Sequence, residues 1–172
     1  MSRLEDFADQ LPDFAKDLKL NLKSNILTDG TLLTRDQVGM VAISCAIATK
    51  NRDLASMFVE HFSDISNENL NAAKGSAAIM GMNNIYYRFT HTVSNPDYKT
   101  LTTGLRMSII ASHGVDVKDF ELASLAVSAI NGCGMCIDSH ESKLMQHGVS
   151  KEQIQLAIKI AAIIHGVASI YI

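Results

Sequence analysis

The stretch NGCGMCIDSHESKL, Asn131 to Leu144, holds two of the chain's three cysteines, Cys133 and Cys136, with His140 four residues beyond the second. A pair so close can clip a metal, close a structural disulfide, or cycle between dithiol and disulfide. The third cysteine, Cys45, lies far away in the apolar run VAISCAIA. An odd and small number of cysteines argues against a disulfide framework and for metal binding or catalysis. Gly132 predicts a chain break that makes Cys133 the start of a helix. There both sulfurs sit near free backbone N–H groups and the positive end of the helix dipole, so the thiol pKa falls below its free value of about 8.5. Cys136 and His140 share one face of that helix and Cys133 extends the same stripe, so one imidazole serves either sulfur.

A carboxylate precedes the pair. Glu121 opens DFELASLAVSAI, otherwise apolar at Leu122, Leu125, Ala126 and Ala129. From pattern alone such an acid is a solvated first-turn residue stabilised by the helix dipole. The functional alternative has Glu121 fixing the tautomer of His140 and raising its basicity, so that the imidazole draws the proton from a thiol. Zinc is the competing use of two cysteines and a histidine. Structural zinc takes four ligands, only three are in view, and positions i, i+3 and i+7 of one rigid helix converge poorly on a tetrahedral centre. No resident metal or tightly bound cofactor is expected, although a non-enzymatic metal-binding or adaptor module stays open as an alternative.

The elements that must position these residues read as helices. Capping boxes pair Ser2 with Glu5, Thr34 with Gln37 and Ser150 with Gln153. After Thr34, Val38, Val41, Ala42, Cys45 and Ala48 recur at helical spacing, as do Leu54, Met57 and Phe58 in the next run. Ser66 opens a longer helix whose apolar stretch from Ala77 to Met82 predicts burial on several sides. VSNPDYKT predicts a loop, TGLRMSII a short helix, and Asp116 or Lys118 the start of the helix carrying Glu121. Gly148 stops the cysteine helix, and a last one runs from Ser150 nearly to the end. The expectation is an all-α, multihelical bundle of about eight helices, a single domain over 1–172, with the Cys-x-x-Cys at a helix N-terminus.

The chain also resembles itself. Val41-Ala42-Ile43-Ser44 precedes Leu125-Ala126-Val127-Ser128 by 84 positions, Ala77-Ala78-Ile79 precedes Ala161-Ala162-Ile163 by 84, and Ile85-Tyr86 precedes Ile170-Tyr171 by 85. A constant register suggests an internal duplication, with halves at about 34–90 and 118–172. Thr49, Arg52 and Ser56 then hold the places of Cys133, Cys136 and His140.

Composition excludes other classes. Of 172 residues, 15 are Lys or Arg and 18 Asp or Glu, a formal charge of −3 without a basic run, which disfavours nucleic-acid binding. The apolar stretches are interrupted by Ser, Lys, Asn, His or Gly, so no membrane span is expected. The N-terminal MSRLEDFADQ lacks the basic start and apolar middle of a secretory signal, which predicts a cytoplasmic protein. No Gly-x-Gly-x-x-Gly follows a strand, so reducing power must come from outside the chain.

The segment FELASLAVSAINGCGMCIDSHESKL resembles the active-site region of the alkyl hydroperoxide reductase D (AhpD) family, within the carboxymuconolactone-decarboxylase-like superfamily. LPDFAKDLKLNLKSNI, GSAAIMGMNNIYYRF and GLRMSIIASHGV are similar to the corresponding parts of that family in the same order, so the resemblance covers nearly the whole chain. It implies an all-helical fold, commonly a homotrimer, with a redox-active disulfide between Cys133 and Cys136. It implies hydroperoxide reductase activity and reduction of a partner peroxiredoxin of the AhpC type. The electrons would come from a lipoyl group on a 2-oxoacid dehydrogenase subunit. The family's acid, two cysteines and histidine fall on Glu121, Cys133, Cys136 and His140 as catalytic residues. Cys136, one turn from the base, is taken as the attacking sulfur. One position departs: the family often has a histidine before the second cysteine, where this chain has Met135, expected to pack or to form a soft rim. Decarboxylase-like members of the superfamily are the rival reading, and the cysteine pair speaks against it.

The remaining candidates receive bland assignments. Cys45 is expected to be an inert buried hydrophobe. His61, His91, His113 and His147 show no ligand spacing. His165 interrupts an apolar helix and is expected to be a satisfied core histidine or a wall of the active-site cleft. Any apolar patch left exposed would be buried in a homo-oligomer.

Overall fold

Helix starts follow their caps. Ser2, Thr34 and Ser150 each accept a hydrogen bond from the backbone N–H three residues on, while Glu5, Gln37 and Gln153 reach back to the cap N–H. In a computed structural model, which describes residues 2–171, these boxes open α1 (Arg3–Asp9), α3 (Arg35–Ala48) and α8 (Lys151–Ile170). The other helices are α2 (Lys16–Asn25), α4 (Arg52–His61), α5 (Asn67–Thr92), α6 (Val117–Ile130) and α7 (Gly134–Gln146). No strand occurs among the described residues, and the fold is all-α as expected.

Asp116 caps α6 through the N–H of Lys118, which settles where that helix begins. The helix expected over TGLRMSII is only a 3-10 turn at Ser108–Ile110, and the expected loop at VSNPDYKT contains another at Pro96–Lys99. Neither stretch buries a residue, so neither has a packed face to propagate a longer helix.

Two helices form the centre. α3 is buried at every residue from Val38 to Ala46, and α6 at every residue from Phe120 to Ser128. One-face periodicity understated α3, because a helix apolar on all sides is enclosed on all sides. α3 and α6 pack on each other, and α5 and α8 pack on both.

α5 and α8 depart from expectation. In α5, Ala77 and Met80 are buried, but Ala78 and Gly81 are exposed and Ile85 is 57% exposed, so one face is open rather than covered. α8 is long and apolar enough, by length and composition, to cross a bilayer, which corrects the expectation that no stretch reaches that length. Lys159 and His165 interrupt it too sparsely to matter. Here its Ile154, Ala157, Ile160, Ala161, Ile164 and Val167 face the core.

Candidate active site

The site is built on the hairpin of α6 and α7. α6 ends at Ile130, Asn131 caps it, and Gly132 follows with φ of 68°, in the left-handed region that favours glycine. The N–H of Gly132 donates to the Ala129 carbonyl and that of Cys133 to the Ser128 carbonyl, which together close a Schellman motif. Cys133 is at once the last residue of that motif and the N-cap of α7. Cys136 is therefore in the first turn of α7, where backbone N–H groups lack helical partners and favour a thiolate. The two sulfurs are joined as a disulfide across a Cα separation of 5.3 Å.

A polar chain fixes this turn to α5. Arg88 Nη1 donates to the Asn131 carbonyl at 2.5 Å, Asn131 Nδ2 donates to Asn84 Oδ1 at 2.9 Å, and Asn84 Nδ2 donates to Ser128 Oγ at 2.9 Å. Asn84 and Ser128 are fully buried, so each bond replaces water that could not reach them.

One turn beyond Cys136, His140 meets Glu121. Nδ1 of the imidazole and Oε2 of the carboxylate are 2.6 Å apart, and Lys143 Nζ donates to the other oxygen, Oε1, at 2.6 Å. Glu121 is 1% exposed, so the expectation of a solvated first-turn acid is overturned. Position five of a helix surrounded by other helices looks inward, where an acid persists only if paired. Burial pushes the carboxyl up, but the hydrogen bonds and charges of His140 and Lys143 outweigh it and hold Glu121 below the ordinary glutamate range. A carboxylate only accepts, so Nδ1 carries the proton and Nε2 is left as the basic nitrogen. Nε2 lies 3.3 Å from Met80 Sδ, a weak acceptor that competes little for a proton.

A cavity of about 330 Å³ opens on these groups and is lined by Cys136, His140, Glu121 and Lys143 on α6 and α7 and by Met80 and Asn83 on α5. Tyr87, Met107, Ile110, Met135 and Ser139 complete it. Cys136 is 7% exposed, whereas Cys133 is wholly buried and does not line the cavity. A base, an orienting carboxylate and one accessible sulfur share a single recess. That set suits removal of a thiol proton and attack by sulfur on a small molecule.

The chain is similar to proteins named for the reduction of alkyl hydroperoxides. Alkyl hydroperoxide reductase AhpD of Coxiella burnetii (strain RSA 493 / Nine Mile phase I) is 49% identical over 98% of this chain and 97% of its own. The protein of the same name from Rhodopseudomonas palustris (strain BisA53) is 52% identical over 96% and 91%, and that of Brucella anthropi 48% over 96% and 94%. The chain belongs to the AhpD family. Residues 96–171 also match the Carboxymuconolactone decarboxylase family, the wider group in which AhpD proteins stand.

The four positions matched to AhpD from sequence, Glu121, Cys133, Cys136 and His140, are brought together by one hairpin. Met135, where AhpD proteins often have histidine, is half-buried on the cavity rim. His165 is exposed on α8 and is neither core nor cleft wall. Cys45 is fully buried and burial pushes its thiol far up, so it is no nucleophile. Among the described residues no cluster of three His, Cys, Asp or Glu could hold a metal ion. Sequence reasoning missed Lys143, Met80 and Asn83. Lys143 was visible as i+3 from His140 on the same face. Met80 and Asn83 come from a helix distant in sequence and left no local signal.

Proposed function

We propose that this chain is a cytoplasmic thiol-disulfide oxidoreductase that reduces alkyl hydroperoxides with the Cys133–Cys136 dithiol. The observation that carries this reading is the exposure of Cys136, and not Cys133, to the cavity that His140 also lines. In the reduced protein, Nε2 takes the Cys136 proton directly or through water, while Glu121 holds Nδ1–H and stabilises the imidazolium that forms. The Cys136 thiolate attacks the terminal oxygen of ROOH. The S–O bond forms, the O–O bond breaks, and the alkoxide takes the proton back from His140 as ROH. Cys133 then displaces hydroxide from the Cys136 sulfenic acid, which leaves the disulfide and water.

The disulfide returns to dithiol by exchange with a dihydrolipoyl group, and the dithiol in turn reduces a peroxiredoxin of the AhpC type. The recess supports the first of these roles, because a slender lipoyl arm fits where another protein's helix would not. A homo-oligomer, a trimer as in the AhpD resemblance, would cover the open face of α5, where Ile85 and Phe89 are 57% and 48% exposed beside Arg88 and Thr92.

A coupled assay tests the electron donor. NADH oxidation through dihydrolipoamide dehydrogenase and a lipoylated domain should reduce the oxidised protein, and much faster than glutathione or thioredoxin does. Equal or better turnover with glutathione or thioredoxin would contradict the lipoyl assignment.

A further inference from the structure

The cavity wall carries a polar group that no step above uses. Asn83 is 4% exposed, lines the recess with Cys136 and His140, and its Oδ1 is buried without a hydrogen-bond partner. Its neighbour Asn84 is the opposite case, with both ends of its amide engaged by Asn131 and Ser128. Ser124 Oγ, the other buried side-chain atom without a partner among the described residues, does not line the cavity. Buried amide oxygens are almost always satisfied, and an unpartnered one on a residue that shares a cavity with a reactive sulfur marks a place where a ligand completes the bonding.

We propose that Asn83 binds the hydroperoxide group of the substrate and stabilises the leaving alkoxide. The inference deepens the hydroperoxide-reductase reading and rests on it. A hydroperoxide presents a donor, the terminal O–H, and an acceptor, the adjacent oxygen bearing R. A primary amide presents the complement, a carbonyl acceptor and an N–H donor on one edge. Asn83 Oδ1 accepts the terminal O–H, and Nδ2–H donates to the oxygen attached to R. When the Cys136 thiolate attacks the terminal oxygen, the O–O electron pair leaves on that second oxygen, where the N–H bond strengthens. His140 then supplies the proton that completes ROH. The R group lies along Met107, Ile110 and Met135, an apolar wall that favours alkyl hydroperoxides over hydrogen peroxide.

A disulfide offers no O–H donor, so Asn83 acts in oxidation by hydroperoxide and not in exchange with disulfides. Asn83→Leu keeps the number and branching of the side-chain heavy atoms and removes the unpartnered oxygen, so the variant should melt no lower than the wild type. With both proteins reduced beforehand, dithiol loss to cumene hydroperoxide should slow about 10- to 100-fold in Asn83→Leu and in Asn83→Ala. Exchange with oxidised lipoamide and alkylation by iodoacetamide should stay within about twofold of wild type. A hydroperoxide rate within about twofold of wild type would overturn the inference while leaving the reductase reading intact. A parallel fall of all three rates, or a lower melting temperature for Asn83→Leu, would show a structural residue and overturn it as well. A wild-type protein inert to the hydroperoxide would remove the reading beneath it.

Discussion

Glu121 Oε2 and His140 Nδ1 lie 2.6 Å apart, with the carboxylate almost wholly out of water although nineteen residues separate the pair in sequence. Such a partner fixes which nitrogen is basic. His140→Ala should therefore slow alkylation of the reduced protein near neutral pH by about 10²-fold or more, the ordinary worth of a positioned base. Glu121→Gln should slow it by about 10- to 100-fold, as loss of an orienting partner does at comparable histidines. Iodoacetamide kinetics against pH measure both, and unchanged profiles would leave the helix dipole as the sole activator of the thiol.

Lys143 places a positive charge beside the thiol. Its Nζ donates to Glu121 Oε1 at 2.6 Å, and the residue lines the same cavity as Cys136. In Lys143→Met that charge is gone, and with it an electrostatic attraction that favours the thiolate. The rise of alkylation rate with pH should then move to higher pH, and Lys143→Arg should restore it. A profile that does not move in Lys143→Met would make the lysine a surface ion pair without influence on the thiol.

Gly132 sits with φ of 68° in open space, since a Cβ added there would meet nothing within 4 Å. The cost of Gly132→Ala is thus one of backbone alone, about 1–2 kcal/mol. Thermal melting should fall by about 2–8 °C for a chain of this size. Gly132→Asn should lose less, because asparagine tolerates the left-handed region better. Equal losses for both would mean that the turn relaxes out of the Schellman geometry.

The Glu121 pairing also ties stability to pH. Its carboxyl is held below the ordinary range in the folded chain, so its contribution is fully present above the unfolded value of about 4.3 and is lost as pH falls through the lower folded value. Urea melts from pH 6 downward to about 3 should therefore steepen below about 4.3 in the wild type. Glu121→Gln has no such carboxyl and should lose stability more gradually over the same range. Identical slopes would mean that the pairing contributes nothing to folding.

Local signals made much of this legible in advance. Each capping box, the glycine stops at Gly132 and Gly148, and the helix carrying the cysteines depend on residues a few positions apart, and all appear where the chain chemistry puts them. The hairpin contacts were half legible. His140 and Cys136 share a helical face by spacing alone, but Glu121 looked like a solvated acid, because its burial is decided by α3, α5 and α8 closing around α6. Asn83 and Met80 were invisible for the same reason, since α5 reaches the site only through tertiary packing. The open face of α5 escaped prediction because periodicity reports apolar residues and not whether another helix covers them.

The central claim is that Cys136 meets the hydroperoxide and Cys133 resolves it. Intact-protein and peptide mass spectrometry after one equivalent of cumene hydroperoxide tests this directly. The wild-type peptide spanning both cysteines should lose two hydrogens as one equivalent of alcohol forms. Cys133→Ser should hold a sulfenic acid on Cys136, trapped by dimedone, and Cys136→Ser should leave Cys133 reduced and the hydroperoxide unconsumed. Trapping on Cys133 in the Cys136→Ser protein at the wild-type rate, or no oxidation of either cysteine in the wild type, would contradict the account.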